Sequence, residues 1–178
     1  GHKRYDVYEV NTKRTILEEL ALKHQVSLKQ NDRRSISYKS VLKQIKEILP
    51  NIDLNAEEHT RPVLQEISER SGLFIQIDKG NNYQFSHLTL QEYFVAAALK
   101  QNPEQLFNHF QSDPNAWREV VKLWCGLEVD CTDLIQKVYA KHSLTGFECL
   151  VDAKKITHTV AESIIDDFTK QIYTHPYS

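Results

Sequence analysis

One histidine, His87, occupies a position from which a side chain could contact an anion. It lies between a predicted strand end, Tyr83-Gln84-Phe85, and a predicted helix that follows at once. The first N–H groups of a helix have no partner inside the helix, and the peptide dipoles add positive charge there. We therefore interpret His87 as a candidate anion-binding residue. The alternative is that its ring merely caps the junction between strand and helix.

The other reactive side chains form no catalytic pattern. The chain lacks a G-x-x-x-x-G-K-S/T phosphate loop, a G-x-G-x-x-G turn, an H-E-x-x-H motif and a G-x-S-x-G motif. Cys125, Cys131 and Cys149 include no C-x-x-C pair, so we expect reduced, mostly buried thiols instead of a disulfide or a zinc site. Cys125 as a nucleophile is the alternative, although it falls on the apolar stripe of a predicted helix. We predict that the chain has no catalytic or metal-binding residue and is not an enzyme by itself.

Positive charge is concentrated in one segment of a chain that is nearly neutral overall. Lys and Arg total 22 against 24 Asp and Glu, a net charge of −2. This segment carries a single acidic residue, Asp32, against a run of basic ones: Lys23, Lys29, Arg33, Arg34, Lys39, Lys43 and Lys46. Such a segment either contacts phosphate, on nucleic acid or in another part of the protein, or is a solvated surface.

The composition indicates a mostly helical chain. Only five Gly and five Pro occur in 178 residues, and no apolar run approaches the roughly 20 residues that a membrane span needs. The absence of Met and the opening Gly1-His2 suggest a piece excised from a longer protein. Together with the unpaired cysteines, these features lead us to expect a cytoplasmic protein with no membrane contact.

Residues 1–100 have the pattern of a winged helix with a two-stranded β-hairpin. The hydrophobic period changes from 3.6 to 2 at Leu73, and the turn residues of 78–82 separate two short strands. We interpret residues 29–37 before this point as a loop. The three predicted helices, the last with Thr60 as N-cap and Pro62 in its first turn, cover residues 13–25, 38–49 and 61–71.

The helix after the hairpin is predicted to begin at Thr89, because Thr89 and Glu92 match the S/T-x-x-E capping box. Its expected buried stripe is Leu90, Tyr93, Phe94, Ala97 and Ala98. Residues 101–178 are predicted to form a helical bundle or the start of an α-solenoid, since short amphipathic segments follow one another closely. These segments cover 104–111, 114–127, 131–141, 144–154 and 158–173.

The segment 71–99, SGLFIQIDKGNNYQFSHLTLQEYFVAAAL, resembles the end of the winged-helix domain in NACHT-type STAND NTPases. These signalling ATPases include NOD-like receptors of animals and defence proteins of bacteria and cyanobacteria. Their pattern is Phe-x-His-x-Thr-Phe-Gln-Glu-Tyr-Phe-Ala-Ala, and Leu90 stands here where Phe is commoner. The positions that match are Phe85, His87, Thr89, Gln91, Glu92, Tyr93, Phe94 and Ala96.

The resemblance implies that the chain is the C-terminal part of a NACHT protein of bacterial or cyanobacterial type. Carried over, the family's histidine role falls on His87, which would contact the β-phosphate of ADP in the closed, inactive protein. ADP or ATP with Mg²⁺ would belong to the upstream NACHT domain of the same chain. The implied function is regulatory: to pass the nucleotide state to a C-terminal sensor in defence or immune signalling, with oligomerisation on activation.

A different class of function remains open, that of a winged-helix nucleic-acid-binding module of a transcription regulator. Its third helix would contact the bases, but Glu57 and Glu58 precede that predicted helix and only Arg61 and Arg70 lie within it. Duplex DNA binding that weakens steeply with added salt would favour this alternative, because phosphate contacts release counterions.

Overall fold

The computed structural model describes residues 6–28 and 34–174, which fall into two compact units meeting between Ala98 and Leu99 in the sequence. The mainly α winged helix followed by a helical region is confirmed. Lys29, Asp32 and Arg33 of the basic segment lie outside the described residues. The first unit contains α1 (Val10–Ser27), β1 (Ile36–Ser37), α2 (Tyr38–Ile48), α3 (Ala56–Arg70), β2 (Phe74–Ile77), β3 (Asn82–Phe85) and α4 (Leu88–Ala98).

The predicted hairpin is present, and a third strand extends it into a sheet of order β1-β3-β2. All neighbours are antiparallel, with Ile36 opposite Tyr83 and Phe74 opposite Phe85. The prediction that residues 29–37 form a loop is therefore wrong for residues 36–37. A strand of two residues is too short to show the alternation of buried and exposed side chains that identifies strands in a sequence. Asp78, Lys79 and Gly80 form the hairpin turn with positive φ, as turn residues there were expected to do.

Helix α3 begins five residues before its predicted start at residue 61. The side chain of Asn55 caps it by accepting a hydrogen bond from the Glu58 N–H at 2.9 Å. Thr60 is therefore not an N-cap: it is buried, and its hydroxyl donates to the Ala56 carbonyl at 2.6 Å. Pro62 lies inside the helix with its ring exposed, so it does not mark the first turn.

The core of the first unit forms where the helices cover the sheet. The predicted stripes of α1 and α3 are buried, as are the inward-facing aromatic residues of the sheet. Burial of such side chains stabilises each by about 1.5–3 kcal/mol. The buried set comprises Ile16, Leu17, Leu20, Ala21, Val41, Ile45, Ile48, Val63, Leu64, Ile67, Phe74, Tyr83 and Phe85.

Helix α4 buries a different face from the predicted one. Phe94 is buried as expected, but Tyr93 is 44% exposed and Gln91 is fully buried. The Gln91 amide donates to the Gln25 side-chain oxygen at 3.3 Å, in the contact between α4 and α1. The prediction failed because α4 carries apolar residues on nearly all sides. The spacing of its apolar residues therefore does not identify which side is buried.

The second unit consists of five helices within the described residues: α5 (Pro103–Ser112), α6 (Pro114–Cys125), α7 (Thr132–Lys141), α8 (Ser143–Asp152) and α9 (His158–Thr174). Asp113 caps α6, accepting from the Ala116 N–H at 3.2 Å, with Pro114 at the first position as predicted. The buried Trp124 donates its indole N–H to the Leu99 carbonyl at 2.9 Å. In the described part of the chain, every helix is too short or too polar to cross a membrane.

Candidate functional site

The junction between β3 and α4 carries the candidate anion-binding residue. His87 is exposed and directly precedes Leu88, the first residue of α4. Its carbonyl accepts the Gln91 N–H at 3.2 Å, which places His87 at the N-cap position and makes Thr89 the second residue of the helix. The predicted capping box at Thr89 is therefore not the start of the helix. The location of His87 outside the helix N-terminus, which the sequence predicted, is confirmed.

Aromatic packing fixes the position of this junction from both sides. Phe85 is buried and lies two residues before His87. The centroid of its ring lies 5.0 Å from the centroid of the Phe74 ring and 5.8 Å from that of the Phe94 ring. At the same point the Ser86 N–H donates to the Leu73 carbonyl at 2.9 Å and closes the base of the hairpin. The backbone that carries His87 is therefore held in place by aromatic packing and by this hydrogen bond.

A cation that the sequence did not single out lies beside the junction. The Arg34 guanidinium donates to the Phe85 carbonyl at 2.9 Å, which ties the start of the sheet segment to the end of β3. From the sequence, Arg34 is assigned only to the basic segment. Its partner is separated from it by 51 residues, so no local pattern could have assigned the contact.

The positions that match the family pattern divide into two groups in the structure. Phe85, Gln91, Phe94 and Ala96 are buried in the first unit, and their packing explains them. The other four are Glu92, which is partly buried, and His87, Thr89 and Tyr93, which are exposed, so burial within the described residues does not account for them. Thr89 and Tyr93 are four residues apart and therefore share one face of α4.

The three cysteines come together in the second unit. All three thiols are buried and none forms a disulfide, as expected. Hydrogen bonding with the Cys131 and Cys149 side chains, together with burial, raises the pKa of the Cys125 thiol above its ordinary value. A buried thiol that stays protonated is a poor nucleophile, which argues against the alternative of Cys125 catalysis. The clustering itself was not predicted, because the three residues lie on different elements.

The fold and the β3–α4 junction define this class of protein: a winged helix whose wing leads directly into a further helix. A family model described as a winged helix-turn-helix domain C-terminal to NACHT matches residues 3–99, and the chain belongs to this family. The resemblance to a C-terminal part of a NACHT protein is thereby confirmed. Neither a curated protein nor a solved structure gives a significant match.

Proposed function

We propose that the chain is the regulatory part of a NACHT signalling ATPase and holds the nucleotide domain closed around ADP. The observation that supports this most directly is the exposed His87 on a rigid junction at the N-terminus of α4. An imidazole there can donate to a phosphate oxygen while the helix end contributes positive partial charge. The family places this winged helix after a NACHT domain, the part of the parent protein that would hold ADP or ATP with Mg²⁺.

The exposed face of α4 is the surface that we assign to the upstream NACHT domain. The exposed residues there are His87, just before the helix, and Leu88, Thr89 and Tyr93 within it, and Leu88 is 46% exposed although it is apolar. A large apolar side chain that is exposed at the start of the helix is available to pack against another domain. The proposal extends to a C-terminal sensor that reads the nucleotide state, to oligomerisation of the parent protein on activation, and to a cytoplasmic role in defence.

The structure offers less support for the nucleic-acid alternative. The first turn of α3 contains Glu57 and Glu58, which would repel phosphate on the helix that a DNA-reading winged helix inserts into the groove. The exposed lysines Lys39, Lys43 and Lys46 lie on α2 instead. Arg61 is an exposed basic side chain on α3, and two glutamates precede it on the same helix.

We propose that this chain alone neither binds nor hydrolyses ATP, since it contains no phosphate loop to cradle the nucleotide. Calorimetric titration with ATP or ADP and Mg²⁺ should therefore show no heat that arises from specific binding. A dissociation constant in the micromolar range would show that a nucleotide site lies within these 178 residues, contrary to the proposal.

In the intact parent protein, His87→Ala should speed ADP release. Loss of one hydrogen bond to phosphate is expected to weaken ADP by about 5- to 150-fold, since such a bond contributes about 1–3 kcal/mol. Only the closed state loses the contact, so the ratio of closed to open ADP-bound protein falls by the same factor. The measurement is release of a fluorescent ADP analogue, with thermal unfolding of the 178-residue chain alongside.

His158→Ala is the matched control for this prediction. His158 is also an exposed histidine at the start of a helix, α9, where it pairs with Glu162 at 2.9 Å. We expect unchanged ADP release from this variant. If His87→Ala instead melts the chain and leaves ADP release unchanged, His87 is a structural residue and the proposed contact is wrong.

A further inference from the structure

A buried carboxylate, Glu66 of α3, holds the chain segment that enters the winged helix. Its side chain is 8% exposed. One carboxylate oxygen accepts the Val7 N–H at 2.6 Å, and the other accepts the Tyr8 N–H at 3.1 Å. The second oxygen also lies 3.3 Å from the Lys13 ammonium. Glu66 thus fixes two consecutive backbone amides and one cation of a segment 53 to 59 residues away in sequence.

Further polar contacts attach the same segment on either side of Glu66. The Asp6 carboxylate pairs with Arg70 of α3 and lies 3.3 Å from the Lys13 ammonium. The Tyr8 hydroxyl hydrogen-bonds to Nδ1 of His59 at 2.9 Å, with the two rings edge to face. All of these partners apart from Lys13 belong to α3, so the segment follows one side of that helix.

Hydrophobic burial does not account for this attachment. Val7 is 80% exposed, so its side chain contributes little apolar contact, and its backbone is held through Glu66 instead. Backbone N–H groups bonded to a charged acceptor are among the stronger hydrogen bonds in proteins, because the acceptor carries a full charge. A carboxylate is also costly to bury unless it is paired, and these donors satisfy it.

We propose that residues 6–9 form a strap, clamped to α3 by Glu66, that transmits movement of the upstream NACHT domain to the winged helix. A flexible linker at this place would absorb such movement, whereas a strap fixed at two amides carries it to α3 and the sheet. The partner is the chain segment leading from the NACHT domain, so the transmission step rests on the proposed function. The attachment of the strap does not.

The attachment is tested by hydrogen exchange in the 178-residue chain. In the unsubstituted chain we expect the Val7 and Tyr8 amides to be protected. Glu66→Gln keeps the shape but replaces one of the two acceptor oxygens by an NH₂ group that faces a donor, so at least one of the two amides should exchange about tenfold faster. Val7→Pro removes one donor at an exposed position without altering α3, and it should free the Tyr8 amide similarly.

Val10→Pro is the matched control. Val10 is 65% exposed and is the first residue of α1, where proline is favoured, and Glu9 before it has φ −65° and ψ 154°, which suits a following proline. We expect this variant to leave the strap amides protected. Val7 and Tyr8 amides that exchange at the unprotected rate in the unsubstituted chain would overturn the strap, whatever the parent protein does.

The transmission step is tested by ADP release from the parent protein carrying Glu66→Gln. We expect faster release, as for His87→Ala. If the strap amides are freed and ADP release is unchanged while His87→Ala still accelerates it, transmission through the strap is wrong and the proposed function stands. If neither variant alters release, both proposals fail.

Discussion

Phe94→Ala should lower the free energy of unfolding of the winged helix by about 3–5 kcal/mol, the usual cost of truncating a buried aromatic residue. Phe94 is buried where α4 meets the sheet, and its ring contacts Phe85 at 5.8 Å. Truncation leaves a cavity between α4 and the hairpin, and it removes the support of the β3–α4 junction. A cost below about 1 kcal/mol would mean that α4 does not pack on the sheet as described.

Tyr93→Ala is the matched comparison, because Tyr93 is the adjacent aromatic residue and is 44% exposed. Its ring touches Phe94 edge to face at 5.7 Å, so some packing is lost, but we expect a cost of only about 1 kcal/mol. The hydrophobic period of this segment places both residues on the buried face and would predict equal effects. Urea unfolding measures the free-energy cost of each substitution. Hydrogen exchange at α1 and α4 amides shows whether the contact between these helices is loosened, and the two measurements distinguish the results.

Gly146→Ala should destabilise the second unit by about 3 kcal/mol or more, at the upper end for overpacking. A Cβ atom at Gly146 would lie 2.5 Å from Cα and 2.7 Å from the backbone nitrogen of Tyr139, so α8 must move away from α7. Replacing glycine in a helix otherwise gains about 1 kcal/mol in helix propensity, so a net loss shows that the clash dominates. Both tryptophans, Trp117 and Trp124, are buried in α6, and their fluorescence reports unfolding of this unit.

Gly126→Ala provides the control in the same unit. Gly126 ends α6 with φ −81°, a conformation open to any residue, and a Cβ there would meet its nearest atom, the Leu123 carbonyl oxygen, at 3.4 Å. We expect a change within about 0.5 kcal/mol. Equal tolerance of alanine at Gly146 and Gly126 would contradict the close approach of α7 and α8.

Local patterns were enough to predict most of the elements. The change of period at Leu73, the turn residues around Lys79 and the Asp113-Pro114 helix start are each readable within a few residues, since they depend on neighbouring backbone geometry. The position of His87 between strand and helix followed from the same signals. The family resemblance also depended on one short segment, 71–99, and the match over residues 3–99 agrees with it.

The sequence by itself therefore determined the winged-helix class, the helical second part and the candidate site residue. Only the tertiary structure decided which face of α4 is buried, that Ile36 and Ser37 form a strand, and that the cysteines cluster. It also decided that Glu66 clamps the Val7 and Tyr8 amides, across 59 and 58 residues respectively. The physical reason is common to all of these features: each depends on contacts between residues far apart in the chain, and no local period encodes the partner.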